Sequence, residues 1–229
     1  NLTREMMDVK TIHSVAPVVL DEQLDEIIAA GFAPNLAIVF GSIRHDLSEI
    51  TSAFDERGID VFGATTSGEF LDGELNDGTI VTMLLDIEKE AYTIQFEHTG
   101  DGDTRESAQR IGRAGQERFE NPGFLVHIGG NNTDGDQVVA GIHETAGENT
   151  LVFGAIAGDD WTKQGTWAFT NGKTTDRGLL GLIFDQNRVK IGGVASTGWK
   201  PAGVVRTITR SQGTKVYTID DMPALDVLI

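Results

Sequence analysis

The chain has 229 residues, no cysteine and a formal net charge of −17, from 35 acidic and 18 basic residues. Without cysteine it forms no disulfide, thiolate metal site or cysteine nucleophile, and without a basic stripe it is unsuited to phosphate backbones or anionic membranes. The length supports one large body or two small ones, no apolar run reaches the ~18 residues of a membrane-spanning helix, and Asn1–Asp8 lacks the blocks of a secretory signal, so a cytoplasmic location is expected.

The acidity reads as solubility or, with seven lysines against twenty aspartates, as adaptation to high salt. Thr11 to Ala16 is the first strand candidate. Asp21 then precedes Leu24, Ile27 and Ile28, whose spacing makes one apolar helical stripe, and Gly31 closes it. After Pro34-Asn35 comes the strand Ala37-Ile38-Val39-Phe40. Asp46 with Glu49 forms a capping box for a helix that turns Leu47, Ile50, Ala53 and Phe54 to the core. Short apolar runs bounded by turn residues predict strands at 61–64, 79–86 and 91–98. Residues 103–119 form a long, mostly polar helix. Leu125-Val126-His127-Ile128 is a strand, and Asp134 or Asp136 caps the helix that carries Val138, Val139 and Ile142. Further strands are predicted at 151–155, 167–170, 178–185 and 188–196, then at 204–210 and 215–219 around the turn at Gln212-Gly213.

The stretch of about 36–100 recurs at about 124–198. Val61-Phe62-Gly63-Ala64 corresponds to Val152-Phe153-Gly154-Ala155, and both precede a small polar loop. The order predicts an α/β fold of two duplicated βαβββ units, with their sheets associated in one body and helices outside. Residues 36–99 are expected to superpose on 124–197, with Ala64 on Ala155. One ligand-binding domain is expected over 1–219. Residues 220–229 read as the start of a further domain, because Pro223 suits a helix start and the apolar residues after it have no evident partner.

The first polar loop, Thr65, Thr66, Ser67, Gly68 and Glu69, offers amides and hydroxyls to a carboxylate or phosphate at a strand end, or forms a turn satisfying its own backbone. The second repeat places Gly158, Asp159 and Asp160 at the equivalent point. Amides facing carboxylates suit a zwitterion such as an amino acid. Trp161 stacks on the ligand or packs at the core edge. His127 and Asn131 are secondary candidates, a strand-end histidine being also an ordinary core residue. Asn132-x-Asp134-x-Asp136 lacks the Gly and final Glu of a calcium loop and reads as helix capping. No dinucleotide, phosphate-loop or zinc-protease motif is present, so no cofactor or metal is called for. Ser67, His127 and Asp159 supply the residue types of a hydrolase triad, with no spacing to support it.

Val39-Phe40-Gly41-Ser42 with the capped helix after it, Phe62 to Glu69, Asp77-Gly78-Thr79, the Asp134-x-Asp136 helix start, Val152 to Asp159, and Asp220-Asp221-x-Pro223-Ala224-Leu225-Asp226 together resemble the N-terminal half of FIST proteins. These are sensory modules of prokaryotic signalling proteins, found also with eukaryotic F-box partners. The resemblance covers nearly the whole chain. It implies a sensory domain for amino acids or similar metabolites, working with a C-terminal FIST domain and signalling output proteins; the acidity independently argues against nucleic acid and membrane as partners. The rival readings are a small-molecule hydrolase using Ser67 or Thr66 and an interaction module whose acidic surface meets a basic partner.

Overall fold

The computed structural model describes residues 7–130, 133–194, 198, 200–213 and 215–228. The chain divides into two units, Asn1–Gly192 and Gly193–Ile229. The first unit runs through one series of elements twice. The first pass is β1 (Met7–Ser14), α1 (Pro17–Ala29), β2 (Leu36–Ser42), α2 (Leu47–Asp55), β3 (Asp60–Thr66), the hairpin β4 (Glu69–Leu71) and β5 (Glu74–Asn76), and β6 (Ile80–Ile87). The second pass is β7 (Tyr92–His98), α3 (Thr104–Arg118), β8 (Pro122–Gly129), α4 (Gly135–Ala146), β9 (Val152–Ile156), the hairpin β10 (Ala168–Thr170) and β11 (Lys173–Thr175), and β12 (Gly178–Asp185).

The strands form two main sheets, ordered β1-β6-β2-β3-β10-β11 and β7-β12-β8-β9. In the first, β2 and β3 are parallel while β6 runs antiparallel to both β2 and β1. In the second, β8 and β9 are parallel while β12 runs antiparallel to both β8 and β7. Order and sense in β1-β6-β2-β3 are thus repeated in β7-β12-β8-β9.

The phase of this repeat differs from the one expected. β7, read from the sequence as the last strand of the first unit, pairs along its length with β12 in the second sheet, and β1 takes the corresponding place in the first. No strand forms over 188–194. Both edges of β12 are occupied by β7 and β8, so a following strand cannot pair back on β12 as a hairpin; Val189 and Ile191 pack instead against the core between the sheets. Residues 195–197 lie outside the described residues. The first helix begins at Pro17, whose fixed φ suits the first turn. Asp21 is therefore inside the helix, where it and Asp25 hold Arg57 of the α2 end at 2.8 and 2.6 Å.

Alternation along the strands sends successive side chains to opposite faces and produces three cores. Leu20, Leu24, Ile50 and Phe54 of α1 and α2 pack on Val39, Val61 and Leu84. Ala108, Ile111, Val138 and Ile142 of α3 and α4 pack on Phe124, Val126 and Ile183. Between the sheets, Leu36, Phe62 and Leu85 meet Tyr92, Leu180, Leu182 and Phe184. The unit is a four-layer α/β/β/α sandwich. Asp46, Asp103 and Asp134 cap α2, α3 and α4 by accepting from backbone N–H groups of the first turn.

The polar composition of α3 has a packing reason. Its buried residues are Ile111 and the small Ser107, Ala108, Gly112 and Gly115, which let α4 come close. A Cβ on Gly112 would lie 2.1 Å from Thr145 Oγ1 and 3.0 Å from Ile142 O, and one on Gly141 would lie 2.5 Å from Arg105 O. Backbone cannot yield as a side chain can, so Gly112→Leu is expected to destabilise by about 1–3 kcal/mol in urea unfolding, the usual range for overpacking. An unchanged unfolding midpoint would show that the two helices part freely.

The second unit contains β13 (Ile208–Gln212), β14 (Lys215–Ile219), β15 (Met222–Pro223) and α5 (Ala224–Leu228), with the three strands antiparallel. Asp220 accepts from Thr207 N at 2.9 Å and pairs with Arg206 at 3.1 Å, and the Arg210 guanidinium lies 4.7 Å from the Tyr217 ring centre. Ala224 is buried and Leu225 exposed. Among the described residues no helix is long and apolar enough to cross a membrane.

Candidate ligand-binding site

The carboxyl ends of β3 and β9 meet, and Thr65 makes the junction. Its N–H donates to Trp167 O at 2.8 Å, its carbonyl accepts from Gly158 N at 2.7 Å, and its hydroxyl donates to Gly158 O at 2.6 Å while accepting from Trp167 N at 2.9 Å. One residue thereby fastens both ends of the β9–β10 connection. Gly158 must be glycine for this approach, because a Cβ there would lie 2.5 Å from Ser67 Oγ and 2.6 Å from Ser67 N. Ser67 Oγ in turn accepts from Asp159 N at 3.2 Å.

A cavity of about 250 Å³ lies against this junction, lined by Phe40, Ala64, Thr65, Thr66, Ser67, Gly68, His127, Ala155, Ile156, Ala157 and Gly158. His127 stands on the inter-sheet face of β8. It stacks on Phe62 with ring centres 4.1 Å apart and meets Phe40 edge-on at 5.5 Å. Among the described residues its buried Nε2 has no hydrogen-bond partner. Burial, which penalises the charged imidazolium, lowers its pKa to about 3. A second, apolar cleft of about 480 Å³ shares Phe40, Thr66 and Gly68 with the first and continues along Thr11, Val81, Met83 and the hairpin residue Phe70. A further cavity of about 560 Å³, beside β7, contains none of the residues predicted for the site.

The acidic residues are arranged differently from one another. Glu69 is buried, its carboxylate accepting from the Thr66 hydroxyl at 2.6 Å and from Thr79 N and Oγ1 at 3.0 and 3.1 Å. The Asp160 side chain is also buried; it accepts from the Ser42 hydroxyl and pairs with Arg44 Nε at 3.6 Å, while its Oδ1 has no partner among the described residues. Asp159 Oδ1 accepts from Trp161 N at 3.1 Å. Trp161 is 90% exposed and does not line the cavity. It lies on a turn where Asp160, Trp161 and Lys163 have φ of 52°, 59° and 59°, a left-handed conformation costly for residues with a Cβ. Asn131 lies outside the described residues. No hydrogen bond among the described residues joins Ser67, His127 and Asp159 into a relay.

The structure therefore brings together Thr65 to Gly68, His127 and Gly158, with Asp159 at the rim, and turns Glu69 and Asp160 inward. Phe40, Phe62 and Ser42, which belong to the family motifs, and Arg44 were not among the expected site residues. Alternation places Phe40 and Phe62 on one face of the first sheet and His127, with Leu125, on one face of the second, and that signal could have assembled the aromatic wall. Asp134 is a cap, accepting from Asp136 N at 3.0 Å.

With this arrangement in view, residues 35–222 match the family model of the FIST N domain. The match begins at β2, after β1 and α1, and runs through the second sheet into the second unit, and the chain belongs to the FIST N domain family, a sensory domain family of signal-transduction proteins. No curated protein matches the chain.

Proposed function

We propose that this chain is the small-molecule-binding part of a sensory protein and that its ligand sits in the inter-sheet cavity at the ends of β3 and β9. The observation that carries this reading is the Thr65–Gly158 junction, where loops from equivalent points of the two passes close on each other beside a pocket walled by Phe40 and His127. A ligand there touches both halves at once. Its presence is thus felt in the relation between the sheets, as signalling to a C-terminal domain and output proteins requires.

The ligand we propose is an amino acid or a similar metabolite. Its carboxylate meets the Thr66–Gly68 segment and its ammonium meets Asp159, whose second oxygen accepts no hydrogen bond among the described residues; Glu69 and Asp160 already serve internal donors. Charge-assisted bonds of this kind contribute about 1.5–3 kcal/mol each. In a thermal-shift screen of amino acids and metabolites, a ligand at 100 times its Kd is expected to add about 2.7 kcal/mol to the folded state, roughly 5–10 °C for a chain of this size. Asp159→Asn is expected to weaken amino-acid binding several-fold and leave the melting temperature of the ligand-free protein unchanged. If no compound shifts the transition, the sensory reading of this cavity falls. If amino acids bind the variant as they bind the parent, the ammonium assignment falls.

A further inference from the structure

The two short hairpins are equivalents in sequence and position but not in use. Phe70-Leu71-Asp72-Gly73-Glu74 corresponds to Phe169-Thr170-Asn171-Gly172-Lys173, and both turn on a left-handed glycine, Gly73 at φ 86° and Gly172 at 64°. The β10–β11 hairpin crosses from the second pass to complete the first sheet, with Ala168 opposite Ala64 and Phe169 opposite Gly63. There Phe169 is fully buried, its ring occupying the space a Cβ on Gly63 would need. The β4–β5 hairpin joins neither main sheet, and Phe70 and Leu75 are 75% and 76% exposed. The strand it would complete by the same exchange, β9, has a free edge at which Gly154, Ala155 and Ile156 are exposed. Gly154 is the counterpart of Gly63.

We propose that β4–β5 docks on the β9 edge as β10–β11 docks on β3, with Phe70 opposite Gly154 and Glu69 opposite Ala155, and so supplies the missing wall of the ligand cavity. The hairpin is already tethered at the right place. Only Ser67 and Gly68 separate β4 from β3, and Ser67 Oγ is bonded to Asp159 just beyond β9. Both feet carry glycines with left-handed φ, Gly68 at 101° and Gly78 at 76°, where a hinge rotation meets least steric resistance. In the open position the Arg44–Asp77 ion pair at 3.1 Å and the bonds of Glu69 to Thr66 and Thr79 hold the hairpin base. Closure exchanges these for strand pairing and for burial of Phe70. By the parity of Phe169, which packs in the core beneath α1 and α2, the docked Phe70 turns to the α4 side of β9, and Glu69, opposite the cavity-lining Ala155, becomes the ligand-facing residue. The ligand part of this inference rests on the site reading above; the docking itself does not.

The chain has no cysteine, so an introduced pair supplies its only thiols. Leu71→Cys with Phe153→Cys, neighbours in the docked register, is expected to form an intramolecular disulfide in most molecules under mild oxidation. Leu71→Cys with Val139→Cys on α4 is expected to give none. Adding Phe70→Ser to the first pair should lower the yield several-fold at an unchanged melting temperature. Spin labels at the exposed positions Leu75→Cys and Ile156→Cys are expected to show a short-distance population, a readout that spares the core. Absence of both the cross-link and the short distance overturns the proposal, and so does cross-linking only between molecules. Phe70→Ser without effect on the yield overturns the role of Phe70. Thermal-shift ligands without a cross-link would leave the site and remove the lid, whereas a cross-link with no ligand would do the reverse.

Discussion

Taking the pH from 7.5 to 5 is expected to cost the folded protein about 2 kcal/mol through His127 alone. The imidazole has an ordinary pKa of 6.5 in the unfolded chain and about 3 in the folded one, lowered by burial between the sheets. Between those values the unfolded state binds the extra proton, so stability rises with pH across that window and is flat above it. His127→Phe, which keeps an aromatic ring against Phe62, is expected to abolish this part of the slope whatever it does to stability at pH 7.5. Urea unfolding of parent and variant at pH 5, 6 and 7.5 provides the comparison. Equal slopes would show that the imidazole accepts its proton in place, and the packing account of its burial would be wrong.

Thr65→Val is expected to destabilise by about 2–3 kcal/mol, because it leaves Gly158 O and Trp167 N without the hydroxyl they share. Thr65→Ser retains the hydroxyl and is expected to cost less than about 1 kcal/mol, the loss of one methyl from a buried site. The pair separates the hydrogen bonds from the volume. A valine variant as stable as the serine variant would mean that water replaces the hydroxyl, and that the β9–β10 connection is not fastened at Thr65. Thermal shifts by any cavity ligand should disappear with the valine variant, since both lining loops end on this residue.

Local pattern carried most of the fold. The alternating apolar runs, the capping aspartates and the recurrence of Phe-Gly-Ala before a polar loop are short-range signals, and the structure has strands and helices close to where they lie. Strand ownership was not legible. Nothing in Tyr92 to His98 distinguishes a strand that pairs backward with β6 from one that pairs forward with β12; that choice is settled by which sheet has a vacant edge. Likewise, Val189 to Val194 has strand composition, but the strand before it, β12, is already paired on both edges. At the site, the loops could be juxtaposed from the repeat, but the inward turn of Glu69 and Asp160 depends on Thr79, Ser42 and Arg44, residues brought in by tertiary packing. The aromatic wall was readable from strand parity and was passed over.

The phase of the repeat also sets where this body can be divided. The turn at Lys89–Ala91 separates β6, the last strand of one four-stranded set, from β7, the first of the other. Backbone cleavage there leaves each fragment with its own helices and its own outer core, and each with one large apolar sheet face uncovered. The later fragment also carries the β10–β11 strand pair that hydrogen-bonds to β3 of the earlier one. Two pieces with matching faces and a shared ladder have what spontaneous fragment complementation requires, and the molecule is by construction a candidate split reporter whose reassembly rebuilds the cavity at the seam.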